Sequence, residues 1–266
     1  MAHLDDRVRF GAVTELRLHP TSQAQEAGFL AMRDLAAVAD DLGIEYRIVG
    51  GQMVGLYVAL AGVPEPVVMV TLDADMGIAA ASARNPGLVP GLEALGYTRP
   101  GAANRCVRTT DGGLSLVIDV LALAWGRRMV PNQRHGDIVL DEIPGLSLAL
   151  ARPGEQIGLT VTMLGGATTS FLPVIPEITS ALCLKALGWS SRLAAKDAVD
   201  VWRLLRAHRQ RIPESTGWPD SGVQGDAVAI LRKDFARPAG GGVRAASQDR
   251  ADQAEIRALT LAILRT

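Results

Sequence analysis

The 266-residue sequence is poor in cysteine, aromatic residues, net charge and long apolar runs, and each shortage removes a class of function. Cys106 and Cys183 stand far apart with no CxxC partner. They offer neither a disulfide framework nor a thiolate metal site, and they read as free thiols. Aromatics make up 4% of the chain, and its four tryptophans show no stacking-platform pattern. A formal net charge of −1 gives no overall basic field to draw nucleic acid, although it leaves room for a local basic cleft. The longest apolar stretches break early: "MVGLYVALAGV" meets Pro64-Glu65-Pro66, and "LSLVIDVLALAW" carries Asp119. Neither attains the roughly 18 to 20 residues needed to span a bilayer. The opening "MAHLDDRVRF" has no apolar signal-peptide core. The expectation is a cytoplasmic protein with no membrane partner. His3, His19, His135 and His208 are scattered without metal-ligand spacing and read as solvent-facing.

What is present is an ordinary globular composition, long enough for one large domain or two small ones. Thr21 and Ser22 precede "QAQEAGFLAMRDLAAVADDLG", where Phe29, Met32, Leu35, Ala36, Ala39 and Leu42 share a helical face that ends at Gly43. "EYRIVGG" reads as a strand over Tyr46 to Val49 closing on glycines, and "QMVGLYVALAG" as a helix stopped at Gly62. "VVMVTLDADMGI" reads as a strand that ends in carboxylates, and "GLVPGLEALG" as a short helix. "NRCVRTT" and "LSLVIDVLAL" flank the hairpin signal Asp111-Gly112-Gly113. From Trp125 to about Ser170, "DIVL", "LSLALA", "IGLTVTML" and "TSFLPVI" read as short strands. After Pro176 the period is helical, with helices in "PEITSALCLKALG" and "SRLAAKDAVDVWRLLRAHR". "RPAGGGVRAASQDR" has linker composition, and a last helix runs from about Gln248 to Leu264. The expected division is an α/β part over residues 1–172 and a helical part over residues 173–266.

Two features carry chemistry. In "VTLDADMGI", Asp73 and Asp75 point to one face of an extended strand and repel each other unless a lysine, an arginine or a divalent metal lies between them. Asp119, embedded among aliphatic residues, must either lie at an exposed strand tip or face a cation. Three such carboxylates form an oxygen cage suited to Mg²⁺ or Mn²⁺. The second feature is Gly50-Gly51, between a strand and a helix, where bare N–H groups at a helix N-terminus favour phosphate. The spacing fits neither a dinucleotide fingerprint nor a Walker A loop.

A strand ending in Gly-Gly, a helix, a strand carrying T-x-D-x-D and a third aspartate on a later strand together resemble the DNA polymerase β-like nucleotidyltransferase superfamily. The segment "EITSALCLKALGWSSRLAAKDAVDVWRLL" resembles the helical part of AbiEii-type nucleotidyltransferase toxins, through Lys185, Arg192 and Lys196-Asp197-x-x-Asp200. The resemblance spans roughly residues 25 to 208. It implies an α/β (α+β) nucleotidyltransferase fold, a mixed β-sheet flanked by helices and followed by a helical C-terminal part. It further implies transfer of a nucleoside monophosphate from an NTP to an acceptor with Mg²⁺ or Mn²⁺.

By that resemblance Asp73, Asp75 and Asp119 would hold the metal, with Asp119 alternatively serving as the base. Gly50, Gly51 and the following Gln52 would meet the nucleotide, Lys185 would neutralise phosphate charge, and Lys196, Asp197 and Asp200 would line or brace the cleft. RNA, such as a tRNA end, would be the acceptor, and a cognate antitoxin the partner of a type IV toxin. On the residues alone, Lys196 and Asp200 also fit a plain exposed i,i+4 ion pair, and Lys185 a snorkelling side chain.

Gln52 stands where many such enzymes carry serine or threonine, and no arginine precedes the DxD. Met76 and Gly77 follow it in place of larger apolar residues. These departures define the alternative, a catalytically degenerate relative that binds a nucleotide or a partner protein. A DxD glycosyltransferase would need about a hundred residues of nucleotide-binding unit before Asp73, more than the chain has.

Overall fold

The computed structural model describes residues 13–66, 71–101, 104–136, 138–213, 218–219 and 221–264. It is a mixed α/β molecule with parallel and antiparallel strand pairs and a helical C-terminal region. Strand β1 (Thr14–Leu18) leads to helix α1 (Gln23–Asp41), whose N-cap Ser22 accepts a hydrogen bond from the Gln25 backbone N–H. Gly43 follows the helix in the left-handed conformation. The apolar stripe read from the sequence, Phe29, Met32, Leu35, Ala36 and Ala39, is buried.

Strand β2 (Tyr46–Val49) runs directly into α2 (Gly50–Ala61), so the glycine pair forms the first two helical residues and does not precede the helix. Strand β3 (Asp73–Ile78) begins at the first aspartate. The carboxylates therefore open this strand and do not end it, while the apolar residues 67–70 lie outside the described residues. Helix α3 (Leu88–Ala94) precedes the hairpin of β4 (Arg105–Thr109) and β5 (Ser115–Leu123), turned at Asp111-Gly112-Gly113. Next come β6 (Val130–His135) and β7 (Ile138–Ile143), of which the sequence pattern revealed only the second.

One sheet has the order β2-β3-β5-β7-β6, with β4 on the other half of the β5 edge used by β7. Residues 116, 118, 120 and 122 of β5 are buried, as expected for one face of a strand, and α1 packs against both β3 and β5. The opposite face carries Asp119 and Leu121.

"LSLALA" is helical, not a strand: it forms α4 (Leu146–Ala151). Its alternation suggested period 2, but Gly145 turns the chain through a left-handed conformation. The Leu146 side chain then fills the space that Gly77 leaves empty. A smaller sheet follows, with β8 (Glu155–Thr162) parallel to β1 and antiparallel to β9 (Thr168–Phe171) and β10 (Val174–Ile175).

Helices α5 (Ile178–Arg192) and α6 (Ala195–Arg211) pack together and against α2. Val199, Val201, Trp202, Leu204 and Leu205 of α6 are core, as their pattern implies. Ion pairs Arg203–Glu65, Arg152–Glu177 and Arg211–Glu155 tie this region to the α/β part. Helix α7 (Gly222–Ile230), continued by a π-helical turn over Leu231–Phe235, was not legible in the sequence. Among the described residues, no helix is long and apolar enough to cross a membrane.

The stretch read as a linker is α8 (Gly241–Ala246), packed beside α6 and α9 (Arg250–Leu264). Gly242, Val243 and Ala246 are buried, and a Cβ on Gly242 would collide with the end of the Phe235 ring. Linker composition here reflects close packing, since only glycine lets the helix backbone approach the ring. Gly242→Ala is expected to destabilise the fold by about 1–3 kcal/mol through overpacking. The denaturant midpoint reads this directly; an unchanged midpoint would return the segment to linker status.

Candidate active-site cleft

Strand register builds the centre of the site. Val49 pairs with Asp75, Asp75 with Asp119, and Asp119 with Arg105, so four strands contribute one continuous row across the sheet. Asp73 lies two residues back on β3, on the same face. Asp73, Asp75 and Asp119 each offer a carboxylate oxygen, and these oxygens lie within 4.8 Å of one another. A set of three hard oxygen donors at that spacing fits Mg²⁺ or Mn²⁺.

Asp119 is 8% exposed and faces a cation, one of the two situations that make a carboxylate among aliphatic neighbours tolerable. The Arg105 Nε and one terminal guanidinium nitrogen donate to its two oxygens at 2.9 and 2.7 Å. The same terminal nitrogen is 3.8 Å from Asp73. Arg105 was missed in the sequence, although a signal existed. Counting outward from the Asp111-Gly112-Gly113 turn, 109 faces 115 and 105 faces 119.

Gly50 and Gly51 sit at the start of α2, directly against the acidic row. Gly50 has φ +66°, and a Cβ there would collide with the Asp75 carboxylate. A Cβ on Gly51 would collide with the Thr71 hydroxyl. The pair thus lets a helix N-terminus approach the carboxylates closely. Val49, the N-cap, supplies no side-chain hydrogen bond to the first-turn N–H groups, which leaves them for an anion.

The far wall comes from α5 and α6. Lys185 is 5% exposed and donates to Asp200 at 2.7 Å, with Asp197 at 4.0 Å. Asp197 accepts a two-pronged pair from Arg192 at 3.0 and 2.8 Å. Asp200 also accepts from Arg203, which in turn grips Glu65. Lys185 is therefore embedded in a buried ionic network and does not snorkel. The simple Lys196–Asp200 pair is absent: Asp200 is buried on Lys185 and Arg203, while exposed Lys196 turns to the cleft.

These elements enclose a cleft of about 410 Å³ whose lining includes Gly50, Gly51, Asp73, Asp75, Lys185 and Lys196. Arg192 and Asp197 also line it. Asp200 stays behind Lys185 as a brace. Gln52 does not face this cleft; its amide donates to the Thr71 carbonyl at 3.4 Å, and it borders a separate cavity on the other side of α2. The helical rotation that aims Gly50 and Gly51 at the carboxylates aims Gln52 away.

Among the described residues, the cysteines and histidines do not line the cleft. Burial pushes the Cys106 and Cys183 thiols up to about 11 and 12, so neither is a nucleophile at neutral pH. His135 and His208 are buried, contrary to the surface reading, and burial depresses His208 to about 4. His19 is exposed, and His3 lies outside the described residues.

Burial, followed by the adjacent Asp73 charge, raises the Asp75 carboxyl to about 7, with Lys185 opposing the shift. Because the folded state holds this proton more tightly than the unfolded chain, the associated stability is complete below about pH 4. It is lost as pH rises through 7. Asp75→Asn is therefore expected to stabilise the metal-free protein at pH 8, on the order of 2–4 kcal/mol, and much less at pH 5. Mg²⁺ or Mn²⁺ should raise the melting temperature of the wild type at pH 8 but scarcely at pH 5. Thermal unfolding with and without the ion measures both effects; equal responses at the two pH values would contradict them. Neither the family models nor the curated proteins compared with this chain match it.

Proposed function

We propose that this chain is a metal-dependent nucleotidyltransferase that moves a nucleoside monophosphate from an NTP to an acceptor and releases pyrophosphate. The observation that carries the reading is the convergence of Asp73, Asp75 and Asp119 within 4.8 Å, directly against the Gly50–Gly51 helix start. An acidic cluster alone has many explanations. A carboxylate cluster facing an anion-binding helix terminus is the pairing that a cation-bound polyphosphate requires.

Each residue has a definite task in that reaction. Asp73 and Asp75 hold the divalent cation, which when bound would offset triphosphate charge and polarise the α-phosphorus. The amides at Gly50 and Gly51 receive phosphate oxygens. Lys196, exposed at the rim, and Lys185, behind it, add positive potential on the opposite wall. Arg192 and Asp200 hold that wall in shape through Asp197 and Lys185. The acceptor hydroxyl attacks the α-phosphorus; a new P–O bond forms, the α–β bridging bond breaks, and the hydroxyl proton is released. Catalysis here is positioning and charge neutralisation.

The resemblance to AbiEii-type toxins extends the proposal to an RNA acceptor, such as a tRNA end, and to a cognate antitoxin as partner. One observation favours the second reading, a nucleotide-binding but inactive relative: both oxygens of Asp119 are engaged by Arg105. Incubation of the full chain with each α-labelled NTP, Mg²⁺ and total RNA separates the two. Transfer of label to RNA, lost by at least a hundredfold in Asp73→Ala and in Gly50→Ala, is the expected result. Magnesium-dependent NTP binding without pyrophosphate release would establish the inactive reading instead.

A further inference from the structure

We propose that Arg105 is a resident cation that fills one position of the carboxylate cluster, so that the site admits a single divalent ion. The inference rests on the metal-dependent reading above and specifies how that site is charged. Sites of this class commonly clamp two metal ions about 3.5–4 Å apart between attacking and leaving oxygens. Here the guanidinium of Arg105 lies where a second ion would need Asp119. It covers both oxygens of that residue at 2.9 and 2.7 Å and reaches toward Asp73 at 3.8 Å.

The backbone holds this arrangement. Arg105 and Asp119 are register partners in a hairpin, so the side chains leave adjacent strands on the same face. Two parallel charge-assisted hydrogen bonds to one carboxylate are the strongest pairing that arginine makes. An ion taking Asp119 as a ligand would have to share an oxygen already held by Arg105 and would bring a like charge against its guanidinium.

Charge points the same way. With all three ionised, Asp73, Asp75 and Asp119 carry three negative charges, and Arg105 reduces them to two, which one divalent ion neutralises. On the opposite wall Lys185 is held by Asp200 and Arg192 by Asp197, while Lys196 faces the cleft with no ion pair to the three carboxylates. Arg105 is half-exposed, so solvent and a ligand both reach its outer edge. Asp119 then acts as a positioning residue that orients Arg105, and Asp73 with Asp75 remain as ion ligands.

Electron paramagnetic resonance of the full chain with Mn²⁺ and inorganic tripolyphosphate tests this without requiring turnover, and equilibrium dialysis supplies the stoichiometry. The wild type is expected to give one bound ion at the cluster and an isolated-ion spectrum. Arg105→Ala is expected to bind two ions with a spin-coupled spectrum, and Arg105→Lys, which retains the charge, to remain at one. Two coupled ions in the wild type would overturn the inference while leaving the metal-dependent reading intact. A single ion in a folded Arg105→Ala protein would also overturn it. Absence of bound Mn²⁺ from both proteins would remove the inference together with the reading it rests on. Should Arg105→Ala fail to fold, Arg105→Gln serves the same comparison, and the wild-type spectrum decides by itself.

Discussion

Mutual repulsion among three carboxylates, held within 4.8 Å by strand register, is the constraint to which the rest of the molecule responds. The register is fixed by hydrogen-bonded backbone on three strands and cannot relax by letting the side chains drift apart. Compensation has to come from outside the triad. Arg105 provides it on one side through Asp119, and Lys185 provides it from the opposite wall at longer range. Burial, with the adjacent Asp73 charge adding to it, raises the Asp75 carboxyl to about 7.

The opposite wall is built on a different electrostatic principle. Lys185, Asp197, Asp200 and Arg203 are all buried, and each has an oppositely charged partner. Burying these charges is costly, and a hydrophobic substitute of the same shape would often be no less stable. Their value lies in placement: the pairs fix the Lys185 ammonium at a set height above the acidic row. One wall is thus charged and incompletely balanced, and the buried charges of the other are paired.

Much of this was legible from residue order because it depends on local rules. The apolar stripe of α1, the strand-to-helix turn at Gly50-Gly51 and the helical periods of α5 and α6 each follow from spacing within one element. The DxD pair and Asp119 were legible as carboxylates needing a cation, and the cation itself was not. Arg105 follows from the β4–β5 register, which has to be counted outward from the Asp111-Gly112-Gly113 turn because register is a relation between strands. "LSLALA" misled because six alternating residues satisfy a strand pattern as well as a short helix. The glycines of the segment before α9 misled because close packing and flexibility favour the same residue. Gln52 was placed in the site by its adjacency to the glycines, whereas helical geometry turns consecutive residues by about 100°.

The cleft has one wall from the α/β part and the other from α5 and α6, and Arg203 fastens that second wall to Glu65 just beyond α2. A nascent chain emerging from the ribosome presents the acidic row well before Lys185 and Lys196 have been synthesised. The cleft is therefore complete only once the helical region has been synthesised and packed on the α/β part.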